Sequence, residues 1–441
     1  MPPYSGHGRY RTSGFDPEPL PDPDNQGMNR TGLPPRECDF AVVGGGILGL
    51  AVARELKSRE PDSRICLLEA EDHLAAHQSS HNSGVVHAGI YYSPGSLRAR
   101  LCVEGAARLR EYCAERNLPW QASGKLIVAT GPEDLPRLDE LERRGRANGV
   151  PGLARVSEDE IPEIEPAAWG FSGLHSPGTA VTDFRAISEA LAGDFERAGG
   201  TIHLDAPVLA ALPTAATGGS PSGSGTGLRI RIPAGYVDCG RAVFCAGLQS
   251  DRLARACGGA TEPRIVPIRG RYLKVKAGRE GLVRGNLYPV PDPDLPFLGA
   301  HLTRTVDGSL LIGPTAMLAG ARDAYRLRKV RPGDLAETIR WPGTWGLLRR
   351  HWRASLAEVA NSTRPVRLAR EASRLVPALS AADVEPGPAG VRAQALDRQG
   401  NLIEDFLIEE AQGAVHIRNA PSPAATSSLA LANLVCDLAL G

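Results

Sequence analysis

The stretch "DFAVVGGGILGLAVARELKSREPDSRICLLEAE" constrains the fold of this chain more than any other. An apolar strand leads into a glycine turn, an amphipathic helix and a second apolar strand, which together predict one βαβ unit. Gly44, Gly46 and Gly49 form the pattern G-x-G-x-x-G at the turn. The first glycine permits the tight turn, the second lets a pyrophosphate approach the backbone, and the third lets helix and strand pack closely. The helix N-terminus is therefore expected to face the phosphates of a dinucleotide.

The residues that follow the helix indicate which dinucleotide is bound. Glu69 ends the second strand twenty residues beyond Gly49, where a carboxylate can accept hydrogen bonds from a ribose diol and repels a 2′-phosphate. NADP is therefore disfavoured. The loop "HQSSHNSGVVHAG" comes soon afterwards, and its small residues let the backbone lie close to a large ring. This loop favours FAD over NAD.

The distribution of these elements predicts two interleaved domains. Dinucleotide-type strands and helices occur at the start, middle and end of the 441 residues. The sequence predicts an α/β fold, in which a mixed, largely antiparallel β-sheet domain flanked by helices is inserted into a Rossmann-like FAD-binding domain. The FAD-binding domain is expected to comprise residues 38–95, 170–262 and 376–441. The substrate-binding or cap domain is expected to comprise residues 96–169 and 263–375.

The composition argues against several classes of protein. Fifty basic residues balance fifty acidic ones, which gives no support for nucleic-acid binding. The eight cysteines include no C-x-x-C pair, so neither a metal site nor a disulfide framework is predicted. The sequence has neither a signal segment nor a long apolar run, which predicts a cytoplasmic protein. Residues 1–37 are expected to form a disordered extension, and residues 214–227 a hairpin tip or surface loop.

Several longer motifs resemble a known family. They are "VVGGGILGLAVARELK", "HQSSHNSGVVHAGIYYSPGSLRARLCVEGA", "GKLIVA", "FCAGLQSDRLA", "RIVPIRGRY", "NLYPVPDPDLPFLGAHLTRTVDGSLLIGP", "AGVRAQALDRQGNLIEDF" and "RNAPSPAATSS". The chain resembles, from Asp39 onward, the FAD-dependent D-amino-acid-oxidase-like superfamily and, within it, the L-2-hydroxyglutarate dehydrogenase/oxidase family. Two departures are Ser79-Ser80, where Thr-Gly is usual, and Ala88, where serine is common. Residues 319–365 resemble the family only loosely, and no role is assigned to them.

The resemblance implies transfer of a hydride from C2 of L-2-hydroxyglutarate to N5 of FAD, which leaves 2-oxoglutarate. No cysteine lies in a flavin-linking pattern, so the FAD is expected to be bound without a covalent link. The electrons would pass to oxygen, a quinone or an electron-transfer protein, and the sequence does not choose among these acceptors. Two other functions stay open. An amine or amino-acid oxidase of the same superfamily would take a neutral amine at C2 and need no second carboxylate site. A non-catalytic dinucleotide-binding protein would hold the cofactor without turnover.

This chemistry requires a base for the hydroxyl proton and partners for two carboxylates. His81 and His87 lie in the matching loop and outrank His77 as candidate bases, since imidazole titrates close to the working pH. The alternative for each is a hydrogen bond to FAD or to the loop backbone. Arg392 matches the segment in which the superfamily places a substrate-binding arginine, and a guanidinium binds a carboxylate bidentately. A surface ion pair is the alternative for Arg392.

Other residues are second-rank candidates for contact with the substrate. Arg269, Tyr272 and His301 are candidates for the distal carboxylate, with strand packing as the alternative. Tyr91 and Tyr92 either orient the substrate or pack with their hydroxyls satisfied.

The segment "NAPSPAATSSLALA" resembles the closing loop and helix of the family. Its small residues let backbone N–H groups point at the carbonyl edge of a flavin, and the helix N-terminus favours negative charge there. An ordinary N-capped helix would explain Ser427-Ser428 but not the preceding small residues. Val208 is expected beside adenine, and Ala246-Gly247 beside the pyrophosphate. The cofactor contacts predicted outside the βαβ unit are Ser80, Asn82, Ser83, Gly84, Val208, Ala246, Gly247, Ser422, Pro423, Ala424, Ala425 and Thr426.

The stretch "WPGTWGLLRRHW" combines tryptophan with basic residues. This composition suits contact with the inner face of a membrane, although a packed pair of helices is the commoner explanation. Peripheral membrane contact is therefore retained as an expectation.

Overall fold

The computed structural model describes residues 30–215, 226–292 and 299–441, in which two large β-sheets are flanked by helices. The strands are β1 Glu37–Val43, β2 Ile65–Leu68, β3 Val85–Val86, β4 Trp120–Gln121, β5 Lys125–Ala129, β6 Ala154–Ser157, β7 Ser172–Ser176, β8 Ala180–Thr182, β9 Thr201–His203, β10 Ala210–Ala215, β11 Thr226–Ile232, β12 Gly235–Phe244, β13 Arg264–Val275, β14 Asn286–Pro289, β15 His301–Arg304, β16 Leu310–Gly313, β17 Met317–Leu318, β18 Val384–Leu396, β19 Leu407–Ala411 and β20 Ala414–Asn419. The helices are α1 Ile47–Arg59, α2 Leu97–Glu115, α3 Leu135–Ala147, α4 Ile161–Ile164, α5 Phe184–Arg197, α6 Ser250–Ala256, α7 Pro332–Arg340, α8 Pro342–Arg350, α9 Trp352–Thr363, α10 Pro365–Ala372 and α11 Ser428–Leu440.

The first sheet contains the predicted βαβ unit. Its strand order is β10-β11-β12-β1-β2-β9, and β20 pairs with β12. The strands β20, β12, β1, β2 and β9 run parallel, as expected of short apolar strands that are buried on both faces. Helix α1 packs against α5 and α11, and all three contribute to one apolar core. The Rossmann-like part of the predicted fold is confirmed.

The second sheet has the order β17-β13-β16-β15-β14-β5-β7-β6, and β18 pairs with β13 along most of its length. All its pairs are antiparallel except β14 with β5, which is parallel. The expected mixed, largely antiparallel sheet is therefore confirmed. A small sheet of β3, β8 and β4 lies outside both.

The domain boundaries expected from the sequence differ from the packing in three places. Strands β7 and β18, which were expected in the FAD-binding domain, belong to the second sheet. Helix α2, which was expected in the cap, packs against α11 and shares its core. The reason is that Leu101, Leu109 and Tyr112 form an apolar face that reaches the core around α1 and α11.

The N-terminal extension and the low-complexity segment predicted from the sequence are only partly described by the structure. Residues 30–37 were expected to be disordered, yet Arg30 forms an ion pair of 2.7 Å with Glu196, and the Arg36 carbonyl accepts from the Asp238 N–H. Residues 1–29 lie outside the described residues. Strands β10 and β11 pair antiparallel on both sides of the low-complexity segment, whose residues 216–225 are likewise outside the description. Among the described residues, no helix is both long and apolar enough to cross a bilayer, and no cluster of acidic, histidine or cysteine side chains could hold a metal ion.

Candidate active site

A cleft of about 1600 Å³ is lined by residues of both large sheets and runs from the glycine turn to β13, β14, β15 and β18. Three of the predicted site residues, Ser80, Gly84 and Arg269, do not line it. The predicted residues that do line it are Gly44, Gly46, Gly49, Glu69, His81, Asn82, Ser83, His87, Tyr91, Tyr92, Val208, Ala246, Gly247, Tyr272, His301, Arg392, Ser422, Pro423, Ala424, Ala425 and Thr426.

The glycine turn lies at one end of the cleft. Gly44 has a φ of +111°, and a Cβ atom there would lie under 3.0 Å from the Cys245 carbonyl oxygen. A Cβ atom on Gly49 would collide with the Gly44 carbonyl oxygen, so this glycine is what lets α1 pack on β1. Gly46 is the N-cap of α1 and has no side chain to cap it. Instead the Ser79 hydroxyl accepts a hydrogen bond of 2.9 Å from the Ile47 N–H.

Ser79 was not among the predicted site residues. The sequence marked it only as a departure from the family pattern, and nothing local indicated that its hydroxyl would reach the first turn of α1. Its hydrogen bond connects the small-residue loop directly to the glycine turn.

Glu69 lies at the carboxyl end of β2 and is 8% exposed. Its carboxylate accepts hydrogen bonds from the Gly45 N–H and, at 2.9 Å, from the Glu71 N–H. Two backbone donors thus orient this carboxylate at the wall of the cleft. The arrangement fits a ribose diol that donates to the remaining lone pairs.

The loop after β2 is held together by its own small polar side chains. The Asn82 side chain donates to the Ser79 carbonyl at 2.8 Å and accepts from the Gly84 N–H at 2.8 Å. The Ser80 hydroxyl donates to the Ala75 carbonyl at 2.7 Å. A Cβ atom on Gly84 would collide with the Thr182 carbonyl oxygen. Ser80 and Gly84 therefore shape the loop and do not face the cleft.

The histidines of this loop have different environments. The His81 Nδ1 atom lies 2.9 Å from the His77 carbonyl oxygen, and its ring stacks on Tyr325 with centroids 3.9 Å apart. The His77 ring nitrogens lie 2.8 Å from a Glu71 carboxylate oxygen and 2.9 Å from the Tyr325 hydroxyl. His77 and His81 are thus fixed by the loop and by Tyr325, which lies in the segment to which no role was assigned.

His87 lies deeper in the cleft. Its backbone N–H donates to the Thr426 hydroxyl at 3.1 Å, and its Nε2 atom lies 3.3 Å from the Ser422 hydroxyl. Its Nδ1 atom is buried and has no hydrogen-bond partner among the described residues. Burial, and then the charge of Lys125, hold the pKa of His87 well below its usual value. The imidazole is therefore neutral, and one of its ring nitrogens carries a free electron pair.

One wall of the cleft consists of aromatic residues beside a cation. Tyr288 and His301 stack with ring centroids 4.1 Å apart. Burial is the main cause that lowers the pKa of His301 to about 3. The hydrogen bond to the Gly299 carbonyl acts in the opposite direction, and the charges of Lys125 and Arg392 lower the pKa further. The charge of Arg392 also acts on the pKa of Tyr272 and of Tyr288, so Arg392 lies close to this wall.

The two tyrosines of the loop motif differ in their contacts. The Tyr91 hydroxyl is buried without a hydrogen-bond partner among the described residues. Tyr92 is 8% exposed and packs beneath the Arg98 guanidinium, 4.6 Å from the ring centroid. Packing accounts for Tyr92, whereas the Tyr91 hydroxyl is left with an unused donor.

Arg269 was expected near the distal carboxylate, but it points elsewhere. Its guanidinium donates twice to the Tyr325 carbonyl, at 3.2 and 3.0 Å. Neighbouring residues of a strand face opposite sides of the sheet, and the adjacent Gly270 lines the cleft where Arg269 does not. Arg269 thus anchors the Tyr325 segment.

The N-terminus of α11 also borders the cleft. Residues 422–426 line the cleft immediately before this helix. Ser427 is the N-cap residue, but its side chain makes no capping hydrogen bond, and the hydroxyls of Ser427 and Ser428 are buried without a partner in the described segments. A conventional side-chain cap therefore does not explain this pair. The N–H groups of Ser427 and Ser428 donate to the Pro423 and Ala425 carbonyls at 2.9 and 3.3 Å, which leaves the later N–H groups of the first turn for an anionic or carbonyl ligand.

These features fit FAD. Gly44 and Gly49 let the glycine turn pack tightly, because a Cβ atom on either would meet a backbone oxygen. This turn, called here the glycine cradle, lines the cleft at the N-terminus of α1, together with Glu69. The cleft continues from this cradle to the open N-terminus of α11, as an extended dinucleotide requires. The sequence did not single out Lys125 and Tyr288, although a lysine at the start of the apolar strand "KLIVA" is a detectable anomaly.

Comparison with known proteins identifies similar chains. A family model described as FAD dependent oxidoreductase (DAO) matches residues 39–438. The chain is 43% identical to L-2-hydroxyglutarate dehydrogenase, mitochondrial, of Nematostella vectensis, with 92% of this chain and 91% of that protein covered. It is 42% identical to the protein of the same name from Homo sapiens, with 90% and 88% covered. It is 40% identical to L-2-hydroxyglutarate dehydrogenase of Indibacter alkaliphilus, with 91% and 99% covered.

Solved structures share the fold at lower identity. L-alpha-glycerophosphate oxidase from Mycoplasma pneumoniae aligns with a TM-score of 0.73 and 22% identity, covering 91% of this chain and 94% of that chain. Glycine oxidase from Geobacillus kaustophilus aligns with a TM-score of 0.66 and 19% identity, covering 92% and 95%. These similarities support the two-sheet architecture described above.

Proposed function

Because the chain belongs to the FAD-dependent oxidoreductase family and, within it, to the L-2-hydroxyglutarate dehydrogenases, we propose that it oxidises L-2-hydroxyglutarate to 2-oxoglutarate. The observation that carries this proposal is the single cleft, which joins the dinucleotide cradle to His87 and Arg392. Bound FAD supplies the acceptor for the hydride that leaves C2. The chain itself binds the substrate, holds the hydroxyl proton and excludes water.

Arg392 is proposed to bind the carboxylate next to the reacting carbon. A guanidinium forms two parallel hydrogen bonds with a carboxylate, which fixes the orientation of the substrate as well as its position. The charge of Arg392 acts on the pKa of Tyr272 and of Tyr288, and both tyrosines line the cleft. The hydrogen atom on C2 is thereby held in one direction.

His87 is proposed as the base that accepts the hydroxyl proton. Its imidazole is neutral because burial lowers its pKa, and its Nδ1 atom has no partner in the described parts of the chain. His81, by contrast, is occupied by the His77 carbonyl and by the Tyr325 ring. The structure therefore favours His87 over His81 for proton transfer.

We expect His87→Asn to lower the rate of flavin reduction by L-2-hydroxyglutarate by roughly 10²- to 10⁴-fold, the usual contribution of a general base. Anaerobic stopped-flow absorbance measures this rate directly. His81→Asn is the matched control from the same loop and should lower it less than about tenfold, since only loop packing is affected. A larger loss in His81→Asn than in His87→Asn would assign the base to His81.

FAD is proposed to be bound without a covalent link. Of the described cysteines, only Cys245 lines the cleft, and burial raises the pKa of its thiol to about 12, which keeps it protonated and unreactive. We expect heat-denatured, filtered protein to release all its yellow chromophore into the filtrate. Colour retained on the precipitated chain would contradict non-covalent binding.

A substrate panel tests the proposal against the alternatives. Glycine, sarcosine, glycerol 3-phosphate and L-2-hydroxyglutarate should be assayed side by side with an artificial electron acceptor. Turnover of L-2-hydroxyglutarate alone supports the proposal, whereas turnover of an amine alone indicates the amine or amino-acid oxidase. Reduction of bound flavin by none of them would indicate a non-catalytic binding protein.

We further propose that the helices after β17 contact a membrane surface, where a quinone could accept the electrons. Trp345, Trp352 and Leu356 are 58%, 54% and 63% exposed, and Arg349 and Arg353 lie among them in sequence. Exposed tryptophan with arginine suits the headgroup region of anionic lipid. A cytoplasmic location and the identity of the acceptor stay predictions.

Trp345→Ser combined with Trp352→Ser should abolish co-flotation of the protein with vesicles that contain anionic phospholipid. The reason is that these rings provide the apolar area of the proposed contact. Leu212→Ser, at an equally exposed apolar residue on β10, is the control and should float as the unmodified protein does. Absence of vesicle binding by the unmodified protein would refute the membrane contact.

A further inference from the structure

Lys125 is a buried cation beside the cleft. It begins β5 and is only 2% exposed. Its ammonium group lies 4.2 Å from the centroid of the Tyr288 ring and 5.2 Å from that of Tyr91. Across residues 30–215, 226–292 and 299–441, no carboxylate lies within the 4.0 Å of an ion pair with it. A buried charge without an anionic partner is costly, and in the described residues this one lies against the faces of the Tyr91 and Tyr288 rings.

The same two rings form part of the cleft wall. Tyr91, Tyr288 and His301 all line the cleft, and the charge of Lys125 acts on the pKa of both His301 and His87. The charge of Arg392 acts on His301 as well. Two cations thus lie near one aromatic wall, and the L-2-hydroxyglutarate molecule carries two carboxylates.

We propose that Lys125 selects the distal carboxylate of the substrate, whose hydrogen-bond donor is the Tyr91 hydroxyl. This inference rests on the proposed function and extends it from one substrate to a class, the 2-hydroxy dicarboxylates. Lys125 acts through the Tyr91 and Tyr288 wall and is a positioning residue, while Tyr91 makes the direct contact. Arg269, the earlier candidate for this task, donates to the Tyr325 carbonyl instead.

The selectivity follows from the unpaired charge. A dicarboxylate brings an anion to the wall, and in a region shielded from water the attraction to Lys125 is strong. A monocarboxylate of the same length leaves both the ammonium group and the Tyr91 hydroxyl without a partner. The pKa of Lys125 supports this account, because burial lowers it to about 7 and a neighbouring carboxylate would raise it again.

Lys125→Met tests the proposal, since it removes the charge and keeps most of the volume. The measurement is the preference for L-2-hydroxyglutarate over L-2-hydroxypentanoate, taken as the ratio of their kcat/KM values for flavin reduction. We expect this ratio to fall by about 10- to 100-fold in Lys125→Met. Tyr91→Phe should lower it in the same direction.

Lys57→Met is the matched control. Lys57 on α1 is also buried, but its ammonium group donates to the Pro61 and Ser63 carbonyls of the loop after α1, at 2.6 and 2.8 Å. The substrate ratio should be unchanged in this variant. An unchanged ratio in Lys125→Met as well, with full FAD content, would overturn the proposal.

The unmodified protein provides a second test that does not depend on the folding of any variant. Binding of glutarate and of pentanoate can be followed through their effect on flavin absorbance. Ammonium charge is lost as the pH rises through about 7, so the preference for glutarate should fall about tenfold or more between pH 6.5 and 9. A preference that stays constant over this range would overturn the proposal.

No other titratable group of this cluster in the described residues interferes between these pH values. Burial raises the pKa of the phenols and of the thiol and lowers the pKa of the imidazoles. These groups are Tyr91, Tyr288, Cys102, His87 and His301. The guanidinium groups of Arg98 and Arg392 complete the cluster.

The proposed function and the role of Lys125 can be refuted separately. If the unmodified protein is reduced by neither hydroxy acid, the proposed function itself is wrong. If L-2-hydroxyglutarate reduces the flavin, but the substrate preference changes neither in Lys125→Met nor with pH, the proposed function stands and the role of Lys125 is refuted.

Discussion

Arg392→Gln is expected to lower kcat/KM for flavin reduction by L-2-hydroxyglutarate by about 10²- to 10⁴-fold while FAD stays bound. Each charged hydrogen bond to a carboxylate contributes about 1.5–3 kcal/mol, and the bidentate pair forms two of them. Arg392 lies on β18 beside the wall of Tyr272, Tyr288 and His301, away from the glycine cradle. The loss should therefore affect the substrate and spare the cofactor.

Anaerobic stopped-flow absorbance at increasing substrate concentration gives this value. Arg398→Gln is the matched control, because its guanidinium is exposed and pairs with Glu262 at 2.8 Å just beyond the same strand. That variant should behave as the unmodified enzyme does. Normal reduction kinetics in Arg392→Gln would remove Arg392 from the site.

Gly49→Val is expected to abolish FAD binding almost completely. Even a Cβ atom on Gly49 collides with the Gly44 carbonyl oxygen, so the branched side chain must push α1 away from the turn. The backbone N–H groups at the N-terminus of α1 then no longer converge on the pyrophosphate. We expect less than about a tenth of the flavin per chain, because dinucleotide affinity depends on this cradle.

Flavin released by denaturation and filtration, divided by protein concentration, is the readout. Gly281→Val is the control, because a Cβ atom on Gly281 meets no atom within 4 Å. It should retain its full flavin content. A Gly49→Val protein with the same flavin content would show that the glycine turn does not hold the cofactor.

The cofactor end of the site could be predicted from the sequence because its signals are local. Gly44, Gly49 and Glu69 lie within one βαβ unit, so their spacing fixes their geometry wherever the unit packs. The cleft lining confirms their common position. The closing segment, residues 422–426, was predicted as a cofactor contact for the same reason, since it directly precedes α11, and it lines the cleft.

The substrate end required tertiary information. Strand β18 carries Arg392 and pairs with β13 across more than a hundred residues of sequence, which no local pattern predicts. The contact of His81 with Tyr325 could not be predicted either, because Tyr325 lies in a segment that resembles the family only loosely. Arg269 was misplaced because a motif does not tell which of two neighbouring strand residues faces the cleft.

Lys125 shows what a sequence motif leaves out. The motif "GKLIVA" was recognisable, but a lysine is ordinarily assigned to the surface. Only the pairing of β5 with both β14 and β7 shows that the strand lies inside the second sheet, where its first residue is buried. Burial then turns an ordinary cation into a candidate determinant of specificity.

The most direct test of the central claim is an anaerobic titration of the purified, flavin-loaded protein with L- and D-2-hydroxyglutarate in separate cuvettes. The L enantiomer should bleach the flavin absorbance and form one 2-oxoglutarate per flavin, while the D enantiomer should leave the spectrum of the oxidised flavin in place. Bleaching by the D enantiomer alone, or by neither, would contradict the proposed function.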